Sequence, residues 1–200
     1  MPDGTVFCAR LILIASLLSL TACLSTPPSS LVKLARLSPL EANPAEIRFA
    51  VRAPDAIRVR DGDITMRITF EALNPANSFI EEYHAIIEEI DRPAPGLPIA
   101  REDGTRTFIA ALTPEDAASL AATQKRVRDL RAAGGKGKGS LAINATGCAL
   151  TPLPSGAVRL STWLQTAPAD DFFIVSRNTD LRKAAERVGR DLDLIPPCEA

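Results

Sequence analysis

The chain has 200 residues, with 23 lysines and arginines against 24 aspartates and glutamates, and a formal net charge of −1. That balance leaves no basic footprint for nucleic acid, and a single histidine excludes any site built from two or more imidazoles. Chains of about 150 residues bury close to 70% of their surface, so one domain with a true core is expected.

The first 22 residues divide into a short polar start ending in Arg10 and an apolar run from Leu11 to Leu20, with small residues before Cys23. This is the layout of a secretory signal. The run holds about eleven to thirteen residues, whereas a helix crossing a bilayer core of roughly 30 Å takes about 20. It therefore reads as a cleaved signal over 1–22 and not as a membrane span.

The junction Leu20-Thr21-Ala22-Cys23 resembles the lipobox of bacterial lipoproteins, where an apolar residue and two small ones precede the cysteine that is acylated. All four positions fit. The resemblance implies cleavage in front of Cys23 and a mature terminus that carries acyl chains there. Burial is worth about 0.8 kcal/mol per CH₂, so two or more chains give a stable membrane anchor. Leu24 stands where an aspartate would resemble an inner-membrane retention signal, which implies a place on the outer membrane facing the periplasm. The other reading of the segment is an ordinary secretory signal with an incidental cysteine.

With Cys8 lost in the signal and Cys23 taken by lipid, Cys148 and Cys198 remain as a pair in an oxidising compartment, and a disulfide is expected. The alternative is two buried free thiols. The lipidated terminus and tether are placed at 23–45 and a single β-rich domain at 46–200. Residues 25–30, Ser-Thr-Pro-Pro-Ser-Ser, favour extended, solvated backbone. Leu31, Leu34, Leu37 and Leu40 are spaced by three and fit a lead-in strand, a helical turn or a membrane-proximal segment equally.

Ile47, Phe49, Val51 and Ala53 alternate with polar residues, which predicts a half-buried strand ended by Pro54. Ile57 and Val59 begin a second run, and Ile64, Met66, Ile68, Phe70 and Ala72 alternate after Asp61-Gly62, the pattern of a hairpin. Residues 78–90 suit a helical face or a strand, and the surrounding strands favour a strand. Residues 92–98, with three prolines, read as a loop, and Thr105 to Leu112 as another strand behind the Asp103-Gly104 turn.

Thr113-Pro114-Glu115-Asp116 is a helix start: a capping threonine, proline at the first position and acids in the first turn. The helix is expected over about 114–133, with Ala117, Leu120, Gln124, Val127 and Leu130 inward and Gly134-Gly135 as its stop. Strands follow near 140–146, 158–166 and 172–176, and a short C-terminal helix near 180–192 is expected to bury Leu181, Ala185, Val188 and Leu192. The sum is a mainly β chain, an antiparallel β-sandwich with one inserted α-helix, of immunoglobulin-like layout on strand count alone.

Reactive motifs are few. His84 lies among Glu81, Glu82, Glu88 and Glu89 and reads as a partly exposed strand histidine. Ser30-Leu31-Val32-Lys33 matches the Ser-x-x-Lys spacing of penicillin-binding proteins but lacks the companion motifs. Gly134-Gly-Lys-Gly-Lys-Gly139 follows a helix and precedes a strand, the reverse of a phosphate loop, and reads as a flexible connection. Turns alone explain Asp61-Gly62-Asp63 and Asp170-Asp171. Neither a cofactor nor a metal is expected.

Lys125, Arg126, Arg128, Arg131, Lys136 and Lys138 crowd fourteen residues with one acid, Asp129. They read as a solvated helix end, favoured by the helix dipole, or as a patch for an anionic partner. Trp163 alternates away from Leu160 and Leu164, which allows core packing or an exposed anchor. The resulting expectation is an envelope lipoprotein with a non-catalytic binding or assembly role toward an envelope protein or component. The alternatives are a periplasmic enzyme or enzyme accessory with a carboxylate-based site, and a structural subunit with an exposed apolar strip around Trp163 or 31–40.

Overall fold

A computed structural model describes residues 27, 29–30, 33, 40–92, 94–97 and 102–199. Cys23 and most of 31–39 lie outside the described residues. The chain is mainly antiparallel β. Its strands are β1 (Arg48–Pro54), β2 (Ile57–Arg58), β3 (Ile64–Ala72), β4 (Phe79–Ile90), β5 (Thr105–Leu112), β6 (Gly137–Ala145), β7 (Cys148–Ala149), β8 (Arg159–Gln165) and β9 (Phe173–Asp180). The inserted helix is α1 (Pro114–Ala132) and the short C-terminal helix α2 (Leu181–Arg187). One curled seven-stranded sheet has the order β6-β3-β4-β5-β1-β8-β9, with a two-stranded β2-β7 sheet beside it, a sandwich-like arrangement.

Strand β4 exchanges neighbours along its length. Its first half pairs with β3 as far as His84, opposite Thr65, and its second half pairs with β5 from Ala85, opposite Leu112. Such a handover strands main-chain groups on each side, and buried or half-buried groups of that kind must find partners. Asp116 Oδ2 accepts from the His84 N–H at 3.1 Å where β5 has ended. On the other side, Asp61 Oδ1 accepts from the Ile87 N–H at 2.6 Å and the Gly62 N–H donates to the Ala85 carbonyl at 3.0 Å.

This corrects the expected hairpin at Asp61-Gly62. Gly62 does turn the chain, with φ 82°, but β2 pairs with β7 and not with β3. The turn instead closes the open side of β4. Residues 78–90 form a strand as expected, and the Asp103-Gly104 turn precedes β5 with Gly104 at φ 74°.

Helix α1 begins as its residues dictate. Thr113 Oγ1 accepts from the Asp116 N–H at 3.0 Å, Pro114 opens the first turn, and Glu115 and Asp116 sit at the positive end of the dipole. Ala117, Leu120, Thr123, Gln124 and Val127 are buried. Gly134, at φ 78°, lets the chain leave the helix, and the Gly135 N–H donates to the Leu130 carbonyl at 2.8 Å.

Two further expectations change. The glycine-lysine stretch is no flexible connection, because Gly137, Lys138 and Gly139 pair with Ala72, Glu71 and Phe70 as the start of β6. Phe70 lies over that stretch, and a Cβ at Gly137 would meet its ring at 2.6 Å. The C-terminal helix ends at Arg187, earlier than predicted, and leaves Val188 70% exposed while Leu181, Ala185 and Leu192 are partly buried.

Three clusters make the core. Ala50, Trp163, Leu97 and Phe172 pack on one face of the sheet, and Ile64, Ala85 and Ala110 pack on the other with Phe49, Val59 and Ile87. Ala53, Ile57 and Val158 join the small sheet to Leu181 and Leu192. Cys148 and Cys198 form a disulfide across a sequence separation of 50, as expected. The Cys198 N–H also donates to the Ala149 carbonyl at 2.9 Å, which docks the C-terminal tail on β7.

Candidate functional site: an apolar trough on the curled sheet

Side chains alternate across a strand, and the registers show which ones share a face. Met66 stands opposite both Tyr83 and Ile143, Ala110 opposite both Ile87 and Phe49, and Phe49 opposite Leu164. These residues line one face across six strands. The Tyr83 hydroxyl donates to Thr123 Oγ1 at 2.8 Å, so α1 lies on this same face.

The curled sheet leaves a recess of about 340 Å³ among Phe49, Ile64, Met66, Tyr83, Ile143 and Val175. A second recess of about 830 Å³ opens beneath α2, among Val59, Leu160, Leu181, Val188 and Leu194. Ile64 and Ile143 line both, so the two abut as one trough. No charged side chain lines the first recess. Its phenol is already bonded to Thr123, and burial is the main cause that holds the Tyr83 hydroxyl above the usual tyrosine range.

Leu141 and Ile143 stand at the β6 side of the trough, 50% and 49% exposed. Solvent-facing aliphatic groups on a concave, carbon-lined wall are a surface suited to apolar ligands. The first recess offers packing and desolvation, while Arg190 and Asp191 stand among the residues lining the second. Among the described residues no group of three or more histidines, cysteines, aspartates or glutamates could hold a metal ion. No helix among them is long and apolar enough to cross a membrane.

The members of the basic cluster have different surroundings. Lys125 pairs with Asp129 at 2.6 Å, and the Arg126 guanidinium lies 4.3 Å above the Phe79 ring, which stacks on Phe70. Arg128 turns inward and donates to the Leu40 carbonyl. Arg131 and Lys136 are exposed, and Lys138 alternates to the face opposite Ile143, away from α1.

His84 is exposed on the outer face, 3.9 Å from Glu82. Trp163 is only 6% exposed, inside a core cluster and beneath the Arg52 guanidinium at 5.7 Å, so it is a packing residue and not an anchor. Ser30 is buried, and the Lys33 ammonium lies 5.0 Å from the centre of the Phe173 ring. Glu82, Glu89 and Glu102 are held by Arg67, Arg106 and Arg52.

The trough escaped the sequence reading because its residues come from separate strands and carry no motif. The one available signal was the uncharged alternation of β6, Gly139 to Ala145, too apolar on one side for a strand with a solvated face. Comparison with known proteins adds no relative: no family model matches the chain, and neither a curated protein nor a solved structure matches it.

Proposed function

We propose that this protein is a membrane-anchored envelope lipoprotein with a non-catalytic binding role, in which the trough takes an elongated aliphatic group. The carbon-lined recess with Leu141 and Ile143 open to solvent carries this reading. The lipobox resemblance at Leu20-Thr21-Ala22-Cys23 supports the anchor, and Leu24 in place of a retention aspartate supports a place on the outer membrane facing the periplasm. An aliphatic chain gains free energy by leaving water for such a wall, at roughly 25 cal/mol per Å² of apolar area buried.

The test uses the full chain and a fluorescent fatty-acid probe. Saturable binding, displaced by an unlabelled long-chain fatty acid, is expected. Val175→Glu sets a carboxylate in the wall of the recess and should weaken binding by about tenfold or more, with Trp163 emission reporting that the fold persists. Absence of saturable binding overturns the reading. For the anchor, mass spectrometry of the N-terminal peptide of membrane-extracted protein should find acyl chains on Cys23; a mature terminus with an unmodified Cys23 would overturn lipidation at that residue.

A further inference from the structure

β6 is an outer strand of the sheet, bonded on one side to β3. The Leu73 N–H donates to the Lys136 carbonyl and the Thr146 N–H to the Asp63 carbonyl, each at 2.8 Å. Both pairs belong to the register that sets Ile64 opposite Ala145. In an antiparallel ladder, bonded and non-bonded pairs alternate. Lys138, Ser140, Ala142 and Asn144 therefore spend their main-chain groups on β3. Gly137, Gly139, Leu141, Ile143 and Ala145 turn theirs to the free edge.

That edge is unusually open. Every residue of β6 is exposed, and the register runs from Gly137 to Ala145 without a bulge. From Gly139 to Ala145 there is neither a charge nor a proline, the devices by which sheets commonly block strand addition. The opposite outer strand, β9, has such devices: irregular register against β8 near Thr162, the exposed Arg177, and Asn178 at φ 51°.

We propose that β6 pairs antiparallel with β6 of a second copy of this chain, across a two-fold axis at Leu141. In that register outward groups meet outward groups: Leu141 faces Leu141, Gly139 faces Ile143, and Gly137 faces Ala145. No like charges oppose each other, since Lys138 meets Asn144 on the other side of the sheet. A glycine at 139 has no reason within one chain, because a Cβ there would find only Phe70 Cδ2, at 4.0 Å. Across the axis it leaves room for the Ile143 side chain. Pairing also covers Leu141 and Ile143, the exposed aliphatic groups at the mouth of the trough, and joins the troughs of two copies side by side.

The mass of the full chain in detergent, by sedimentation at micromolar concentration, tests this. A dimer is expected, and Leu141→Lys, which sets two ammonium groups against each other, should halve the mass. A monomeric unsubstituted chain, or a dimer whose mass Leu141→Lys leaves unchanged, overturns the proposal. Oxidative crosslinking tests the register. Leu141→Cys should link two chains above the level of the unsubstituted protein, because bonded antiparallel pairs place Cα atoms about 5.5 Å apart, within disulfide reach. Ser140→Cys, facing Ala142 on the other side of the sheet, should not; linkage at Ser140→Cys without linkage at Leu141→Cys overturns the two-fold at Leu141.

Discussion

Tyr83 and Thr123, 40 residues apart, share a buried hydrogen bond of 2.8 Å that fastens α1 to the middle of the curled sheet. Tyr83 lies beside the point where β4 passes from β3 to β5. The bond therefore fastens the helix to the sheet beside the point where β4 changes partners.

Tyr83→Phe should lower the unfolding free energy by about 1 kcal/mol, because it leaves the Thr123 hydroxyl buried without that donor. Thr123→Val should cost a similar amount, and the double variant less than the sum of the two. Denaturant titration of the four proteins gives the coupling. Full additivity would show that the bond contributes nothing.

The chain has one tyrosine, so its absorbance near 295 nm on raising the pH reads Tyr83 alone. Burial raises this hydroxyl from the ordinary 10.0, with the nearby Glu81 and Asp116 acting in the same direction against hydrogen bonding with Thr123 and Ser119. A midpoint above 10.0 is expected in the folded protein and a return toward 10.0 in denaturant. The sign for stability follows: this contribution is whole below pH 10.0 and is lost as the pH rises through the raised value. A folded-state midpoint at or below 10.0 would contradict the burial of the group.

The Cys148–Cys198 bond closes a loop of 50 residues that holds β8, β9 and α2. Replacing both cysteines by serine should destabilise the protein by about 4 kcal/mol on the chain-entropy account. The loss should appear as a lower denaturation midpoint in the variant, and in the unsubstituted protein once it is reduced. Equal midpoints for the oxidised and reduced forms would refute it.

Arg182 of α2 donates to Asp193 Oδ2 at 2.7 Å, and to the Pro154 carbonyl at 2.9 Å, clamping the C-terminal turn Leu192–Leu194 against the helix. The hydrogen bond from Arg182 is the main cause holding the Asp193 carboxyl below its ordinary 3.8. Its contribution is therefore present above pH 3.8 and is lost as the pH falls through the lowered value. Pepsin cleavage beside Leu192 and Leu194 should rise across that window, and Asp193→Asn should be cleaved readily at its upper end. Identical cleavage of the two proteins throughout would remove the clamp.

Much of the fold was legible in the residues, and for local reasons. Thr113, Pro114 and Asp116 specify the start of α1 through groups within one turn of each other. The alternation of Thr105 to Leu112 specifies β5 because a strand with two unlike faces needs nothing beyond its own period. The Cys148–Cys198 pair followed from counting cysteines. Where sequence reasoning went astray, a distant partner had intervened. Asp61-Gly62 has the chemistry of a hairpin turn, yet it serves the open side of β4. The glycines at 137 and 139 have the composition of a loop, yet Phe70 and the β3 ladder hold them in a strand.

The residues alone thus determined most of the longer strands, the inserted helix, the disulfide pair and the exclusion of a multi-histidine site, since each depends on local periodicity, capping chemistry or simple counts. Only the tertiary structure decided that seven strands curl into one sheet, that Trp163 is core, that Arg128 turns inward to the Leu40 carbonyl, and that Phe49, Met66, Tyr83 and Ile143 meet in a single trough. Those outcomes depend on which strands become neighbours. Neighbour choice is set by where β4 changes partners and where α1 is fastened, through contacts such as Tyr83 to Thr123 that no short stretch of chain contains.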